Sequence, residues 1–245
     1  MKKTIAVLEG DGIGPEIVAE SIKVLRAVEK KFGHDFRLDY APFGAEAYFT
    51  DGSPFPEKTI RICDEADAII KGPVGLPVDK MRRIPQEMRP EIAAILPLRE
   101  RYDTFANYRP VRLPKALASF SPLKESLIGE GLDILMIREL VGGIYFGAKT
   151  EGSATGMKYA ADDCRYTHEQ VRRVAVVAFE EARKRRSPMT DIHKANVLAT
   201  SRFWVEVVDD VARSYPDVEY RSMLVDNAAF QLVRDPTQFN GVVLL

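Results

Sequence analysis

Three arginines lie where a guanidinium group needs an anion as a partner. Arg99 lies in a helical stretch, Arg109 lies in an otherwise apolar strand, and Arg138 ends the apolar run 134–137. An arginine within a strand is costly unless an anion compensates its charge. The spacing predicts that the three guanidinium groups converge on one carboxylate of a ligand. The alternative is that each arginine pairs separately with an Asp or a Glu.

Two side chains have chemistry suited to proton transfer, and one carboxylate suits a hard metal ion. Lys194 follows the run 189–193, and Tyr145 lies within the sequence GGIYFG. Nearby cations can lower the pKa of a lysine until it acts as a base near neutral pH. Asp226 follows a predicted strand, a placement that suits a Mg²⁺ ligand. The alternatives are a surface charge for Lys194, a core aromatic for Tyr145 and an ordinary helix N-cap for Asp226.

A glycine-rich turn, EGDGIGPE, connects a short apolar strand at 4–8 to a helix that runs to Phe32. Apolar residues recur in this helix at steps of three and four, and Pro15 suits its first turn. The turn lacks the GxGxxG spacing of nucleotide-binding loops. It therefore fits a tight turn that needs a positive φ at least as well as a phosphate site.

Strands alternate with helices along the chain, a pattern typical of α/β proteins with a largely parallel sheet. A Pro- and Gly-rich loop spans 72–90, and Thr167 with Gln170 predicts a capping box. The glycine-rich segment 142–165 is predicted to be irregular. Further strands are predicted at 36–43, 66–71, 104–111, 134–138 and 219–225, and further helices at 91–102, 167–186, 201–214 and from 226.

The composition is that of a globular protein and argues against several classes of function. The 245 residues are 46% apolar, and 35 Lys and Arg face 36 Asp and Glu. With no excess of positive charge, binding of nucleic acid is disfavoured as the main activity. No apolar run is long enough for a membrane span or a signal peptide, so we expect a cytoplasmic protein. Cys63 and Cys164 are predicted to be reduced thiols with a structural role.

Five motifs occur in one order along the chain: GDGIGPEIV at 10–18, RPE…LPLR…FANYRP at 89–110, IRELVGGIYFG at 137–147, HKANVL at 193–198 and VDNAAFQLV at 225–233. Together they resemble the β-decarboxylating dehydrogenases of the isocitrate/isopropylmalate family. GGIYFG is more similar to the isopropylmalate branch than to the isocitrate, homoisocitrate or tartrate branches. The resemblance therefore implies a dehydrogenase that acts on 3-isopropylmalate, with D-malate or tartrate as the alternative substrate.

The resemblance also implies a role for each candidate residue. The three arginines hold the carboxylates of the substrate, and Asp226 is a ligand of Mg²⁺ or Mn²⁺. Lys194 takes the hydroxyl proton as hydride passes to NAD, and Tyr145 protonates the enolate left when CO₂ departs. The metal stabilises the negative charge that develops.

Other residues are implied to hold the cofactor and the variable group of the substrate. Ile95, Leu96 and Val197 are expected at the substrate, where an apolar pair such as Ile95 and Leu96 suits an isopropyl group. A third carboxylate at that position would be left unpaired at a cost of several kcal/mol. The nicotinamide end of NAD is expected to contact Ile13, Pro73, Val74, Gly75, Glu91 and Asn196.

The family fold implies two α/β domains and a homodimer with shared active sites. The first domain would contain residues 1–105 and the second 106–245, with the dimer arm at about 142–165. Family members continue beyond the position of Leu245 with a GDILSDE-like motif that supplies further metal carboxylates, so the first domain is expected to be incomplete. A non-catalytic fragment or regulatory subunit is therefore an alternative. Two further departures are GPVGLPVDK in place of a GGPKWD-like loop, and His193 where the isopropylmalate branch often has Asp.

Overall fold

The structure is a computed structural model that describes residues 1–245, apart from the side chain of Ala154. The chain forms two compact units, Met1–Arg101 and Tyr102–Leu245. The boundary expected after residue 105 lies in the short connection that follows this division. The assignment of the two units to the domains of the family stays a prediction.

Unit 1 is a three-stranded parallel sheet with strand order β2-β1-β3 and helices that connect the strands. A 3₁₀ turn at Gln86–Met88 and a π-helical turn at Glu91–Ile95 precede its last helix. The elements are β1 (Lys2–Leu8), α1 (Gly14–Phe32), β2 (Asp35–Tyr40), α2 (Ala45–Asp51), α3 (Glu57–Asp64), β3 (Ala68–Lys71), α4 (Val78–Met81) and α5 (Leu96–Arg101).

The core of unit 1 forms where the first half of α1 packs on β1. Ile5, Val7 and Val18 are buried together, and Ile22 lies against them. The helix begins with Pro15 in its first turn, as predicted. The apolar stripe of the helix does not remain buried to its end, because Phe32 is exposed.

Unit 2 is a five-stranded sheet with strand order β4-β5-β10-β8-β9, in which β4 is antiparallel and the other strands are parallel. The mixed α/β architecture confirms the predicted fold class. 3₁₀ turns occur at Lys115–Phe120, Gly143–Tyr145 and Pro236–Phe239. The elements are β4 (Ala106–Pro114), α6 (Glu125–Ile128), β5 (Gly131–Glu139), β6 (Lys149–Ala154), β7 (Met157–Asp162), α7 (His168–Arg185), β8 (Met189–His193), α8 (Ala199–Ala212), β9 (Tyr220–Leu224), α9 (Val225–Arg234) and β10 (Gly241–Leu244).

Helix α7 supplies much of the core of unit 2. Val171, Val174 and Phe179 are fully buried in one cluster with residues of α8 and of the sheet. Burial of each such side chain contributes about 1.5–3 kcal/mol. The predicted capping box is confirmed, because the Thr167 hydroxyl accepts a hydrogen bond from the amide of Gln170, and the Gln170 side chain accepts one from the amide of Thr167.

The segment 142–165 is not irregular throughout, so that prediction is wrong. It contains the antiparallel hairpin of β6 and β7, which forms a separate two-stranded sheet. The residues of β7 are all exposed, so no alternation of buried and exposed residues marks the strand in the sequence. The proposed role of this segment as a dimer arm stays a prediction.

Among the described residues, no helix is long and apolar enough to cross a membrane. Cys63, which is buried, and Cys164, which is exposed, are not in disulfide bonds.

Candidate active site

Most candidate residues of unit 2 lie at one edge of its sheet. Strands β5, β8 and β9 run parallel, so their carboxyl ends meet at this edge. Tyr145 lies in the turn after β5, Lys194 directly follows β8, and Asp226 lies in the first turn of the helix that follows β9. Ligands of α/β proteins usually bind at this edge.

Arg109 and Arg138 lie on adjacent antiparallel strands and on the same face of the sheet. Arg138 pairs with Asn107, and Arg109 pairs with Met136, so the two arginines are diagonal neighbours. Arg109 lies in strand β4, as predicted, but the expected cost of placing its charge within a strand does not arise. Strand β4 is an edge strand with mostly exposed residues, so water already solvates the Arg109 side chain. The convergence of these two arginines with Arg99, which lies in unit 1, stays a prediction.

Tyr145 is held at the surface by the turn that follows β5. The residue is 51% exposed, and the centre of its ring lies 5.5 Å from the guanidinium carbon of Arg138. The alternative of a core aromatic is therefore wrong. The ring is well placed to meet a ligand beside Arg138.

Glu139 shapes the turn that carries Tyr145, a role that no pattern in the sequence indicated. Its buried carboxylate accepts hydrogen bonds from the amides of Val141 and Gly142, and burial raises its pKa. Gly143 has a positive φ of 72°, and a Cβ there would collide with the hydroxyl of Tyr166. Both the conformation and the limited space at this position favour glycine.

Lys194 and Asp226 form an ion pair in which Nζ lies 2.6 Å from Oδ1. The lysine side chain is 32% exposed and the aspartate side chain 64%. The hydrogen bond from Lys194 holds the pKa of Asp226 below its usual value. Lys194 is therefore more than a solvated surface charge. Asp226 is not the N-cap of α9, a position that Leu224 occupies.

In unit 1 the glycine-rich turn packs closely against the loop that follows β3. The amide of Asp11 donates to the carbonyl of Pro73 over 2.9 Å. A Cβ at Gly10 would collide with that carbonyl, and one at Gly72 would collide with the carbonyl of Glu9. The glycines of the GDGIGPE motif and of the GPVG loop thus permit two loops to touch.

Asp11 is a second residue whose role the sequence did not reveal. Its buried carboxylate accepts hydrogen bonds from the amide of Gly75 at 2.7 Å and from the amides of Ala45 and Glu46 at 2.8 and 2.9 Å. Three backbone donors on one carboxylate fix the loop at Gly75 to the start of α2. A polar residue between two glycines was the only available signal in the sequence.

Most residues expected at the nicotinamide surround these two loops. Ile13 is 59% exposed, Pro73 is exposed, and Glu91 Oε1 lies 3.6 Å from the position that a Cβ at Gly75 would occupy. Val74 and Gly75 are half-buried. Unit 1 thus brings five of the six expected cofactor residues into one region.

The remaining cofactor and substrate candidates are divided between the two units. Ile95, Leu96 and Arg99 are half-buried residues at the junction of the π-helical turn and α5. In unit 2, Asn196 and Val197 are exposed residues of the turn that begins at Lys194.

Asp226 provides one oxygen-donor side chain of the kind that Mg²⁺ prefers. In the described part of the chain, no group of three or more His, Cys, Asp and Glu side chains could hold a metal ion. The residues present therefore fit one protein ligand of a metal ion, and they do not fit a closed metal site. Mg²⁺ is commonly held by one or two carboxylates together with water and substrate oxygens.

The parallel strands and the polar residues at their carboxyl ends define an α/β protein of the class that binds small ligands at a sheet edge. The family model for isocitrate/isopropylmalate dehydrogenase matches residues 4–245. The chain belongs to this family, as the five motifs predicted.

The relatives that this chain matches are longer than the chain itself. The 3-isopropylmalate dehydrogenase of Desulfotalea psychrophila is 48% identical over 239 residues, which cover 97% of this chain and 66% of that protein. The enzyme of the same name from Salmonella typhimurium is 45% identical over 237 residues, which cover 96% and 65%. The structure of isocitrate dehydrogenase from Methylococcus capsulatus matches with a TM-score of 0.81 at 27% identity and covers 99% of this chain and 66% of that one. The chain thus spans about two thirds of the length of these relatives.

Proposed function

We propose that this chain carries substrate, cofactor and metal-binding residues for the NAD-dependent oxidative decarboxylation of 3-isopropylmalate to 4-methyl-2-oxopentanoate, a step of leucine biosynthesis in the cytoplasm. The observation that carries the proposal is the Lys194–Asp226 ion pair at the carboxyl edge of the sheet, in a chain whose relatives are named 3-isopropylmalate dehydrogenase.

The proton transfers of the proposed reaction use two side chains of unit 2. In its neutral form, the amine of Lys194 would accept the hydroxyl proton of the substrate, and NAD, when bound, would take the hydride. The ammonium group that results has the ion-pair partner seen here, Asp226. After loss of CO₂, the Tyr145 hydroxyl, which is exposed beside Arg138, donates a proton to the enolate carbon.

Binding and orientation are assigned to the arginines and to the apolar residues before α5. Arg109 and Arg138 offer two cations on one sheet face for the carboxylates of the substrate, and Arg99 offers a third. Ile95 and Leu96 provide apolar surface for the isopropyl group, whose burial contributes about 1.5–3 kcal/mol. A bound Mg²⁺ or Mn²⁺, with Asp226 as a ligand, supplies a positive charge for the alkoxide and the enolate.

The proposed active form is a homodimer. The hairpin of β6 and β7 exposes Met157 and Tyr159, at 70% and 51%, and so offers apolar surface to a second copy of the chain. Lys194 and Asp226 are proposed to complete the site of the partner subunit.

NADH formation by the purified chain with Mg²⁺ tests the proposal, with 3-isopropylmalate, D-malate, tartrate and isocitrate compared by kcat/KM. We expect the highest value for 3-isopropylmalate. Lys194→Ala should nearly abolish kcat with an unchanged circular dichroism spectrum. Lys184→Ala is the matched control, because Lys184 pairs with Glu181 on the exposed side of α7. A higher kcat/KM for D-malate would overturn the proposed substrate. Wild-type kcat in Lys194→Ala would remove Lys194 from the mechanism. No turnover with any of the four acids would overturn the proposed activity of the chain.

A further inference from the structure

The imidazole of His193, the last residue of β8, makes two hydrogen bonds that define its tautomer. Nδ1 lies 3.1 Å from the amide nitrogen of Ala195, and Nε2 lies 2.8 Å from the hydroxyl oxygen of Ser222. A backbone amide can only donate, so Nδ1 must accept. The ring is therefore neutral with its proton on Nε2, which donates to Ser222.

The two bonds join the segments that carry the ion pair of the proposed active site. His193 and Ser222 lie on the adjacent parallel strands β8 and β9, where His193 is in register with Leu224. Lys194 follows His193 directly, and Asp226 lies two residues beyond Leu224. The ring thus links the two strands just before the residues that form the ion pair.

The bond to Ala195 also fixes the backbone turn that starts at Lys194. The carbonyl of Lys194 accepts hydrogen bonds from the amides of Val197 and Leu198 at 3.1 and 3.0 Å. The His193 ring adds an acceptor for the amide two residues ahead, the same contact that an aspartate makes in an Asx-turn. A neutral ring provides this acceptor without placing another charge beside Lys194.

We propose that His193 is a positioning residue that, as the neutral Nε2–H tautomer bonded to Ser222 and Ala195, holds the amine of Lys194 against Asp226 for proton transfer. The catalytic part of this proposal rests on the proposed function. The hydrogen bonds and the geometry of the ion pair do not depend on it.

The surroundings of the ring favour its neutral form. Burial lowers the pKa of His193, while the carboxylate of Asp209 on α8 opposes this shift. Two further polar groups lie near the ring. The hydroxyl of Tyr220 on β9 donates a hydrogen bond to Asp209, and Lys194, the next residue in the chain, carries an ammonium group. Protonation of Nδ1 would make it a donor that faces the amide of Ala195, also a donor, and the hydrogen bond between them would break. We therefore expect the turn at Lys194 to loosen as the pH falls through the pKa of His193.

Nuclear magnetic resonance of the full chain tests the hydrogen bonds. Long-range nitrogen correlations should show His193 with its proton on Nε2. Exchange of the Ala195 amide should become about five- to tenfold faster in His193→Ala, because one net hydrogen bond is lost. His193→Asn should restore slow exchange, since its side-chain oxygen can accept the same bond. His168→Ala removes an exposed histidine and should change nothing.

Chemical labelling tests the position of Lys194 without any need for turnover. We expect an amine-acylating reagent to modify Lys194 several-fold faster in His193→Ala than in the wild type, with Lys184 as an internal control. Ser222→Ala should have a smaller effect in the same direction, and it replaces His193→Ala if that variant does not fold. Equal labelling of Lys194 in the wild type and in the substituted chain overturns the proposal, as does a proton on Nδ1 at neutral pH.

Turnover separates this proposal from the proposed function. With an active wild-type chain, kcat should fall in His193→Ala and recover in His193→Asn, while KM for NAD stays constant. Wild-type kcat in His193→Ala overturns the positioning role. If the wild-type chain shows no turnover but does show the expected tautomer and labelling, the proposed dehydrogenase activity is overturned. The role of His193 in the geometry of Lys194 is then still supported.

Discussion

Replacing Asp191 by asparagine should make the free energy of unfolding of unit 2 increase relative to that of the wild type as the pH rises. The side chain is fully buried in β8, where Oδ1 accepts a hydrogen bond from the indole of Trp204 at 2.8 Å. Among the described residues, Oδ2 has no hydrogen-bond partner. Burial raises the pKa of Asp191 to about 7, and the negative charge of Asp209 adds to the shift.

The size of the effect follows from the difference between the folded and unfolded pKa values. The folded value of about 7 exceeds the unfolded value of 3.8 by about three units, which corresponds to about 4 kcal/mol. The folded carboxyl binds its proton more tightly, so the stability of the wild type falls as the pH rises from 3.8 to about 7. Asparagine does not titrate and keeps the acceptor for Trp204. Its unpaired amide group adds a cost of about 1–3 kcal/mol that does not depend on pH.

Denaturant unfolding between about pH 4 and pH 8 measures this difference. Trp204 is the only tryptophan of the chain, so its fluorescence reports the unfolding of unit 2. The free energy of unfolding of Asp191→Asn, relative to that of the wild type, should increase by about 4 kcal/mol over this range. Asp210→Asn is the matched control, because Asp210 is an exposed residue paired with Arg213. A difference that does not vary with pH would refute the reasoning.

Three further substitutions test other features. Thr167→Ala should lower the free energy of unfolding by about 1 kcal/mol, measured by denaturant unfolding, because the capping box is lost. Gly143→Ala should reduce kcat, because the new Cβ collides with Tyr166 and displaces the turn that carries Tyr145, the proposed proton donor. An unchanged kcat would count against this geometry. Asp11→Asn should raise KM for NAD more than it lowers kcat, because an amide cannot accept all three backbone bonds, including that of Gly75; equal changes in both constants would contradict that role.

The elements that could be predicted were those with a strong local signal. Strand β1, the glycine turn and the start of α1 follow from an apolar run and from Pro15. The capping box marked the start of α7. Helices α2 and α3 were missed because they have only seven and eight residues, too short to show several helical periods.

The candidate site was predictable as a set of residue types, but its geometry was not. The motifs identified Lys194 and Asp226, whereas their ion pair depends on the pairing of two strands that lie about thirty residues apart. The exposure of Arg109 depends on β4 being at the edge of the sheet, and local sequence does not encode strand order. Asp11 acts through backbone amides, which leave no mark in side-chain patterns.

The position of β10 in its sheet has a consequence for how the chain folds as it is synthesised. This strand comes last in sequence but pairs with β5 on one side and β8 on the other. The ribosome therefore releases β5 more than a hundred residues before β10, the neighbour that completes its pairing. During that interval the apolar edges of β5 and β8 are open to wrong partners. The sheet of unit 2 therefore cannot close around β5 and β8 until β10 has been synthesised.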